Sequence, residues 1–376
     1  MSKYYDDALE FAKKYIAPYA EEMDAKAEFP KEVFKKLGEH GYMGLMVEEE
    51  YGGQGKGVQQ NVEVCLAFAQ YAPTVALCYM MHNNVMPKFY NASKEIKDKI
   101  LPEIVKNGKF IAAAGSEPKG GNNSNSSETT YKVVGDKAII NGSKTLVTMG
   151  GNADYYSVVC TNEENNQVSW FIVPSDTPGI TFDTNDWNGF GMRGNTSCSM
   201  YLKDVEVDLL YLIAHADTIN KRDIQIGDNS FIMGIACANA GVTFGVCRNA
   251  IEHIKSRVYP DGKKMIDFDT IKLHVSKVYT LAQATKSLCL EAGRATDANE
   301  EDQDEKCVAA RLMATEASME AAKLGMRIGG GRAYNNKGSM TRWLRDSYAG
   351  QVMAPSVDAL SLTLGKNITN KDIEIK

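Results

Sequence analysis

No two of the eight cysteines, at 65, 78, 160, 198, 237, 247, 289 and 307, are spaced as CxxC. A zinc site or a redox pair needs sulfurs close together, so this scatter predicts buried free thiols. An excess of basic residues is missing as well. The chain has 42 Lys and Arg against 48 Asp and Glu, a net charge of −6. That balance argues against broad nucleic-acid binding, which needs a basic field to displace counterions. It leaves room for an anionic ligand held by a few local arginines and helix N-termini. No apolar run reaches ~18 residues, the length that would span a bilayer. The N-terminus opens on charged residues without an apolar core, which predicts no signal peptide. A reducing cytoplasm is the expected compartment. No internal repeat is visible.

The chain has 376 residues, too many for one ordinary core, so two or three packed units are expected. With 44% hydrophobic and 24% charged residues it reads as soluble and globular. The first unit, residues 1–108, is helical. Residues 4–23 alternate apolar and charged positions with a period near 3.6. Pro30 suits the first turn of a helix carrying Val33, Phe34 and Leu37. The stretch 61–85 is apolar enough for a buried helix or a pair of helices, and Ser93 can cap a helix over 94–105.

From Lys109 the period changes. A short apolar run, 110–114, is followed by Tyr131-Lys132-Val133-Val134, the turn Gly135-Asp136, Lys137-Ala138-Ile139-Ile140 and a second turn at Asn141-Gly142. Further strands are expected over 155–160, 168–173 and 199–207. This predicts an antiparallel β unit over 109–212. Residues 213–376 return to helix, with long stretches at 230–257, 267–294 and 301–327 that suit a four-helix-bundle-like unit. The fold class is therefore α+β, in the order helical, β, helical.

Three segments can carry chemistry. Gly115-Ser116-Glu117-Pro118-Lys119-Gly120-Gly121-Asn122-Asn123-Ser124 follows a strand, and its small residues would let backbone N–H groups approach a phosphate or flat ring; taken alone, a plain surface loop is the favoured reading. Thr148, in 143–151, has a hydroxyl for a buried acceptor or for a cross-strand partner. Arg327-Ile328-Gly329-Gly330-Gly331-Arg332 ends a helix in three glycines where a C-cap needs one, which leaves capping or a close approach by something large.

Together these blocks, in this order, resemble the acyl-CoA dehydrogenase family over essentially the whole chain. Ser116-Glu117-Pro118 with Gly121-Asn122-Asn123 is similar to the family's Thr-Glu-Pro…Gly-Ser-Asp loop. Leu146-Val147-Thr148-Met149-Gly150 stands where the family has Trp-Ile-Thr-Asn-Gly. Gly191-Met192-Arg193-Gly194-Asn195-Thr196-Ser197 resembles its Gly-Ile-Arg-Gly-Ser segment. Arg257 opens a loosened Arg-x-x-Phe-Gly motif, and Gly330-Gly331 and Arg345-Asp346 match the C-terminal Gly-Gly and Arg-Asp.

The resemblance implies FAD between the β unit and the C-terminal helices, completed by a neighbouring subunit in a homotetramer or homodimer. Ser116 and Thr148 would hydrogen-bond the flavin ring, and Gly121 and Asn122 would lie near the pyrophosphate. Arg257 would reach the pyrophosphate of the adjacent subunit, where its planar fork suits two phosphate oxygens. Gly330 and Gly331 would admit the adenosine half, and Ser356 would touch FAD after the active-site turn. Leu146 replaces the Trp that covers one flavin face, Asn122 replaces a Ser, and Arg327 stands where the family often has Gln.

The base departs furthest. Family dehydrogenases remove the α-proton of an acyl-CoA with a Glu while the β-hydride passes to the flavin, then hand electrons to an electron-transferring flavoprotein. The Glu position aligns with Ala354, and the minority position aligns near Phe231; neither side chain accepts a proton. Two carboxylates remain as candidates. Asp358 lies four residues after Ala354, where it also reads as an acidic first turn behind Ser356. Asp228 is expected just before a helix, where it also reads as a cap. His82, in an apolar helix, reads as a packed histidine. The implied activity is FAD-dependent α,β-dehydrogenation of an acyl-CoA with a relocated or absent base. The alternatives are a flavin-dependent monooxygenase or other non-dehydrogenase reaction on this fold, or a non-catalytic subunit.

Overall fold

In the computed structural model, which describes residues 2–120, 127–335 and 338–370, the chain forms a helical unit, a sheet and a helical bundle. The first unit holds α1 (Lys3–Phe11), α2 (Ala20–Lys26), α3 (Lys31–Glu39), α4 (Val58–Ala69), α5 (Pro73–Asn83), α6 (Met86–Phe89) and α7 (Lys94–Asn107). Ser93 caps α7 by accepting from the Ile96 N–H at 3.4 Å, as its sequence predicts. The apolar stretch 61–85 resolves into the pair α4 and α5, split by Pro73 at the first turn of α5.

Eight strands form one sheet: β1 (Ile111–Ala114), β2 (Thr130–Val134), β3 (Lys137–Val147), β4 (Tyr155–Asn162), β5 (Val168–Pro174), β6 (Ile180–Asp183), β7 (Cys198–Asp208) and β8 (Leu212–His215). The order is β6-β7-β3-β2-β4-β5-β8, with β1 also paired to β4. The sheet corrects the sequence reading in two places. It is mixed, because β1 and β2 both run parallel to β4. Asn141-Gly142 is a bulge inside β3, where the register with β7 shifts between Ile140 and Gly142. The Asn141 side chain holds the bulge by exchanging hydrogen bonds with the Asp204 N–H at 2.8 Å and its carboxylate at 3.2 Å.

The bundle comprises α8 (Lys221–Ser256), α9 (Asp269–Asp297), α10 (Gln303–Ala333), α11 (Ser339–Val352) and α12 (Val357–Asn370). α8 begins nine residues before the expected 230, capped by Asn220 at the Arg222 N–H. Asp228 thus lies inside the helix and caps nothing. α8 is long and apolar enough to cross a bilayer, yet it is the central helix, packed against α4, α5, α9, α10 and α11. All eight cysteines are free and buried.

Side chains fasten the three units together. Asp297, at the end of α9, accepts from the Val58 and Gln59 N–H groups at 2.8 and 2.9 Å, capping α4 across the domain boundary. The Arg345-Asp346 step of α11 makes a second clasp. Arg345 forks onto Asp24 of α2 and donates to the Phe190 carbonyl at 3.1 Å. Asp346 accepts from the Met192 N–H at 2.7 Å and faces Arg342 at 3.9 Å. Gly191 lies so close that a Cβ there would sit 2.3 Å from the Arg345 carbonyl oxygen.

Burial pushes the Asp346 carboxyl up to about 6 against the opposing pull of Arg342 and the Met192 N–H. Asp346→Ala strips the buried Met192 N–H of its acceptor and Arg342 of an ion-pair partner, and is expected to destabilise by about 3 kcal/mol. Asp346→Asn keeps an acceptor and should cost about 1 kcal/mol or less. Urea unfolding of both variants checks this, and equal losses would contradict it.

Candidate functional site at the seam of sheet and bundle

The loop that follows β1 is fixed from below by a buried ion pair. Lys144, fully buried in β3, meets the Glu117 carboxylate at 2.6 Å. The same carboxylate accepts from the Ser127 hydroxyl (2.6 Å), the Glu128 N–H (2.6 Å) and the Thr129 N–H (2.9 Å). Burial alone would raise this carboxyl, but the four donors outweigh it and hold it at about 2. Burial pulls the Lys144 ammonium below its usual value, yet with so many donors on Glu117 the pair stays ionised. Beside the pair, Ser116 is exposed, and its carbonyl accepts from the Thr145 N–H at 2.9 Å, tying loop to strand. Gly121 and Asn122 lie outside the described residues.

At the far end of β3 the backbone turns through left-handed residues, Leu146 (φ 53°) and Met149 (φ 63°). Leu146 is 62% exposed, an apolar side chain held outward on the face that the resemblance gives to the flavin. Thr148 is buried, with its hydroxyl 3.0 Å from that of Ser197. The structure therefore brings Ser116 and Thr148 to one strand, but gives Thr148 a protein partner already.

The phosphate candidates gather elsewhere, on the bundle. α10 breaks at Gly330 (φ 55°, ψ −146°), and a Cβ at Gly330 or Gly331 would touch nothing within 4 Å. An open kink of this kind is no packing device; it exposes backbone. Arg257, at the end of α8, and Arg332 both act on His253 and lower its basicity after burial, which places two guanidiniums and an imidazole together beside the kink. Among the described residues neither guanidinium meets a carboxylate; Arg257 lies over the Tyr259 ring at 5.2 Å. Two unpaired arginines beside exposed glycine backbone suit a pyrophosphate. The donor set thus fits a dinucleotide flavin split between two surfaces, the sheet face with Ser116 and the bundle face with Arg257. Arg332 and His253 were not singled out in the sequence, because only the kink brings them beside Arg257.

The turn expected to carry the base runs from Met353 to Ser356. Arg311 of α10, fully buried, donates to the carbonyls of Gly350 (2.9 Å) and Met353 (3.4 Å), ending α11 with a cation. Burial without a carboxylate partner lowers the Arg311 guanidinium to about 10. Ala354 is exposed in this turn. Ser356 accepts from the Ala359 N–H at 3.4 Å and Asp358 stands exposed in the first turn of α12, so both act as helix-start residues. His82 uses both ring nitrogens, one 2.8 Å from the Met43 carbonyl and the other accepting from the Ile111 N–H at 3.1 Å. Burial pushes it down to about 4, which keeps it neutral and structural.

Asp228 is different. It lines a cavity of about 450 Å³ with Arg222, Gln225, Asn229 and Asp304. Crowding by the surrounding protein raises its carboxyl, Lys88 opposes that rise, and Asp304 adds to it. Phe231 lies one turn further along the same helix.

Residues 2–108, 112–205 and 233–359 match the N-terminal, middle and C-terminal domain models of acyl-CoA dehydrogenase. An acyl-CoA dehydrogenase of Bacillus subtilis (strain 168) is 28% identical over 365 residues, covering 95% of this chain and 94% of the relative. A 3-(aryl)acrylate reductase of Clostridium sporogenes is 25% identical over 347 residues, 90% of each chain. The solved butyryl-CoA dehydrogenase of Megasphaera elsdenii superimposes with a TM-score of 0.87 at 22% identity, covering 98% of this chain and 99% of that one.

The Glu117 carboxyl, held low in the fold, contributes stability that is full above its unfolded value near 4.5 and disappears as pH falls toward about 2. The melting-temperature gap between wild type and Glu117→Gln should therefore be wide at pH 6 and close toward pH 2. A gap independent of pH would contradict an ionised pair.

Proposed function

The chain belongs to the acyl-CoA dehydrogenase family, and from that premise we propose that it is an FAD-dependent oxidoreductase acting on an acyl-CoA thioester. The observation that carries this reading is the pair of arginines, Arg257 and Arg332, that meet no carboxylate among the described residues, beside the open kink at Gly330 and Gly331. Exposed glycine backbone next to two such cations suits a pyrophosphate. FAD, when bound, supplies the hydride acceptor.

The residues present would divide the work as follows. Arg257, with Arg332 beside it, would neutralise phosphate charge, and Gly330 and Gly331 would admit the adenosine half. Ser116 and Thr148 would orient the ring through their hydroxyls, Ser116 on a loop held by the Glu117–Lys144 pair and Thr148 beside Ser197. Asp228 is the carboxylate best placed to receive the α-proton: it faces a cavity, whereas Asp358 sits at a helix start. Arg311 would hold the Met353 end of the turn in place. Electrons would leave to an electron-transferring flavoprotein. Exposed Leu273 and Tyr279 on α9, 70% and 56% accessible, support assembly into a homotetramer or homodimer that completes the flavin site. The free thiols fit the cytoplasm.

Ala354, exposed where the usual Glu would stand, favours a second reading: a flavin-dependent monooxygenase or other non-dehydrogenase reaction, or a non-catalytic subunit. Anaerobic addition of a panel of acyl-CoAs separates the three. Dehydrogenation bleaches the flavin absorbance directly. A monooxygenase bleaches only with an external reductant and then consumes oxygen, and a non-catalytic subunit does neither.

Ala354→Glu is expected to create or raise bleaching by simple acyl-CoAs. A variant that holds FAD and shows no gain would mean that the turn does not face the substrate.

A further inference from the structure

The cluster around Asp228 contains one cation whose bonds are unmade. Lys88 of α6 has no hydrogen bond or ion pair from its ammonium among the described residues. Its Nζ lies 5.7 Å from the centre of the Trp170 ring of β5. On the other side it stands 3.9 Å from where a Cβ on Gly227 would be, next to Asp228. The sheet, the first helical unit and the bundle all meet at this point.

Two of the other charged groups around Asp228 are already committed. Arg222 donates to Gln303 at 2.6 Å, to Gln225 at 3.1 Å and to the Thr296 carbonyl. Asp304 of α10 accepts from Gln225 at 3.0 Å and from Asn229 at 3.0 Å. Lys221 lines the same cavity but is exposed, nearly two turns earlier on α8. Lys88, at Gly227, is the cation whose charge acts on Asp228.

We propose that Lys88 is the positioning residue that keeps Asp228 in its charged, proton-accepting form. The proposal rests on the reading of Asp228 as the base. Without Lys88, the upward push of the surrounding protein and of Asp304 on the Asp228 carboxyl would go unopposed, and a protonated carboxyl cannot take the α-proton. The lowered basicity of Lys88, caused by its burial and opposed by Asp228, is the reciprocal effect on the partner. In the step itself the C–H bond α to the thioester would break and its proton would go to the Asp228 carboxylate, with bound FAD supplying the acceptor for the β-hydride.

Two measurements on the FAD-loaded protein test this. Labelling of Asp228 by a water-soluble carbodiimide, read by peptide mass spectrometry across pH, reports its protonation without any turnover. The pH profile of anaerobic flavin bleaching reports its catalytic role. In Lys88→Met the labelling midpoint and the acid limb of bleaching should both rise by about one pH unit, while Lys88→Arg leaves both near wild type. An unmoved midpoint in Lys88→Met, or an equal shift in both variants, overturns the proposal. If Asp228→Asn bleaches like wild type, the reading of Asp228 as the base fails, and the labelling midpoint still decides whether Lys88 sets its charge.

Discussion

The contact on which the rest of the molecule depends is the clasp at Arg345-Asp346. One helical step ties α2 through Asp24, the loop before β7 through Met192, and the bundle through α11 itself. Burying a carboxylate and two arginines in one place is costly unless every acceptor and donor finds a partner. Here the partners come from all three units, so the charges are satisfied only when the units are docked. The seam between sheet and bundle is thereby held at one spacing. The surfaces bearing Ser116 and Thr148 on one side and the 353–356 turn on the other are positioned by that spacing.

The site departs from the usual arrangement in a way that follows from charge. At the turn where the resemblance would put a carboxylate there is Ala354, and next to that turn Arg311 keeps a buried positive charge bonded to two carbonyls. Negative charge is found instead on α8, at Asp228, with Lys88 across from it. The second anion-seeking surface, Arg257 with Arg332 at the Gly330 kink, has no internal counter-charge among the described residues. On the proposed reading the two features would serve different chemistry, proton transfer and phosphate binding, and they lie at opposite ends of α8.

Much of this was legible in the residues. The change of period at Lys109, the Gly135-Asp136 turn and the cap at Ser93 all predicted what the chain does there, because each rests on local backbone preference; the triple glycine after Ile328, read as a helix end, is instead a kink inside α10. The misreadings came from long-range effects. Asn141-Gly142 has the composition of a turn, but pairing with β7 and the Asp204 side chain turn it into a bulge. Asp228 looks like a cap because it stands just before the periodic stretch expected from residue 230, yet Asn220 caps further upstream and the helix runs through it. The Glu117–Lys144 pair and the unspent charge on Lys88 could not be read at all, since each depends on residues 27 or more than 100 positions away meeting in space.

The central claim is that the glycine kink and its arginines, together with the Ser116 face of the sheet, enclose FAD. The most direct measurement is the visible spectrum and FAD stoichiometry of the folded, purified protein, before and after incubation with FAD. The account predicts a yellow protein, or a colourless one that takes up close to one FAD per chain and loses most of it in Arg257→Ala. A folded protein that neither carries nor takes up FAD would contradict it.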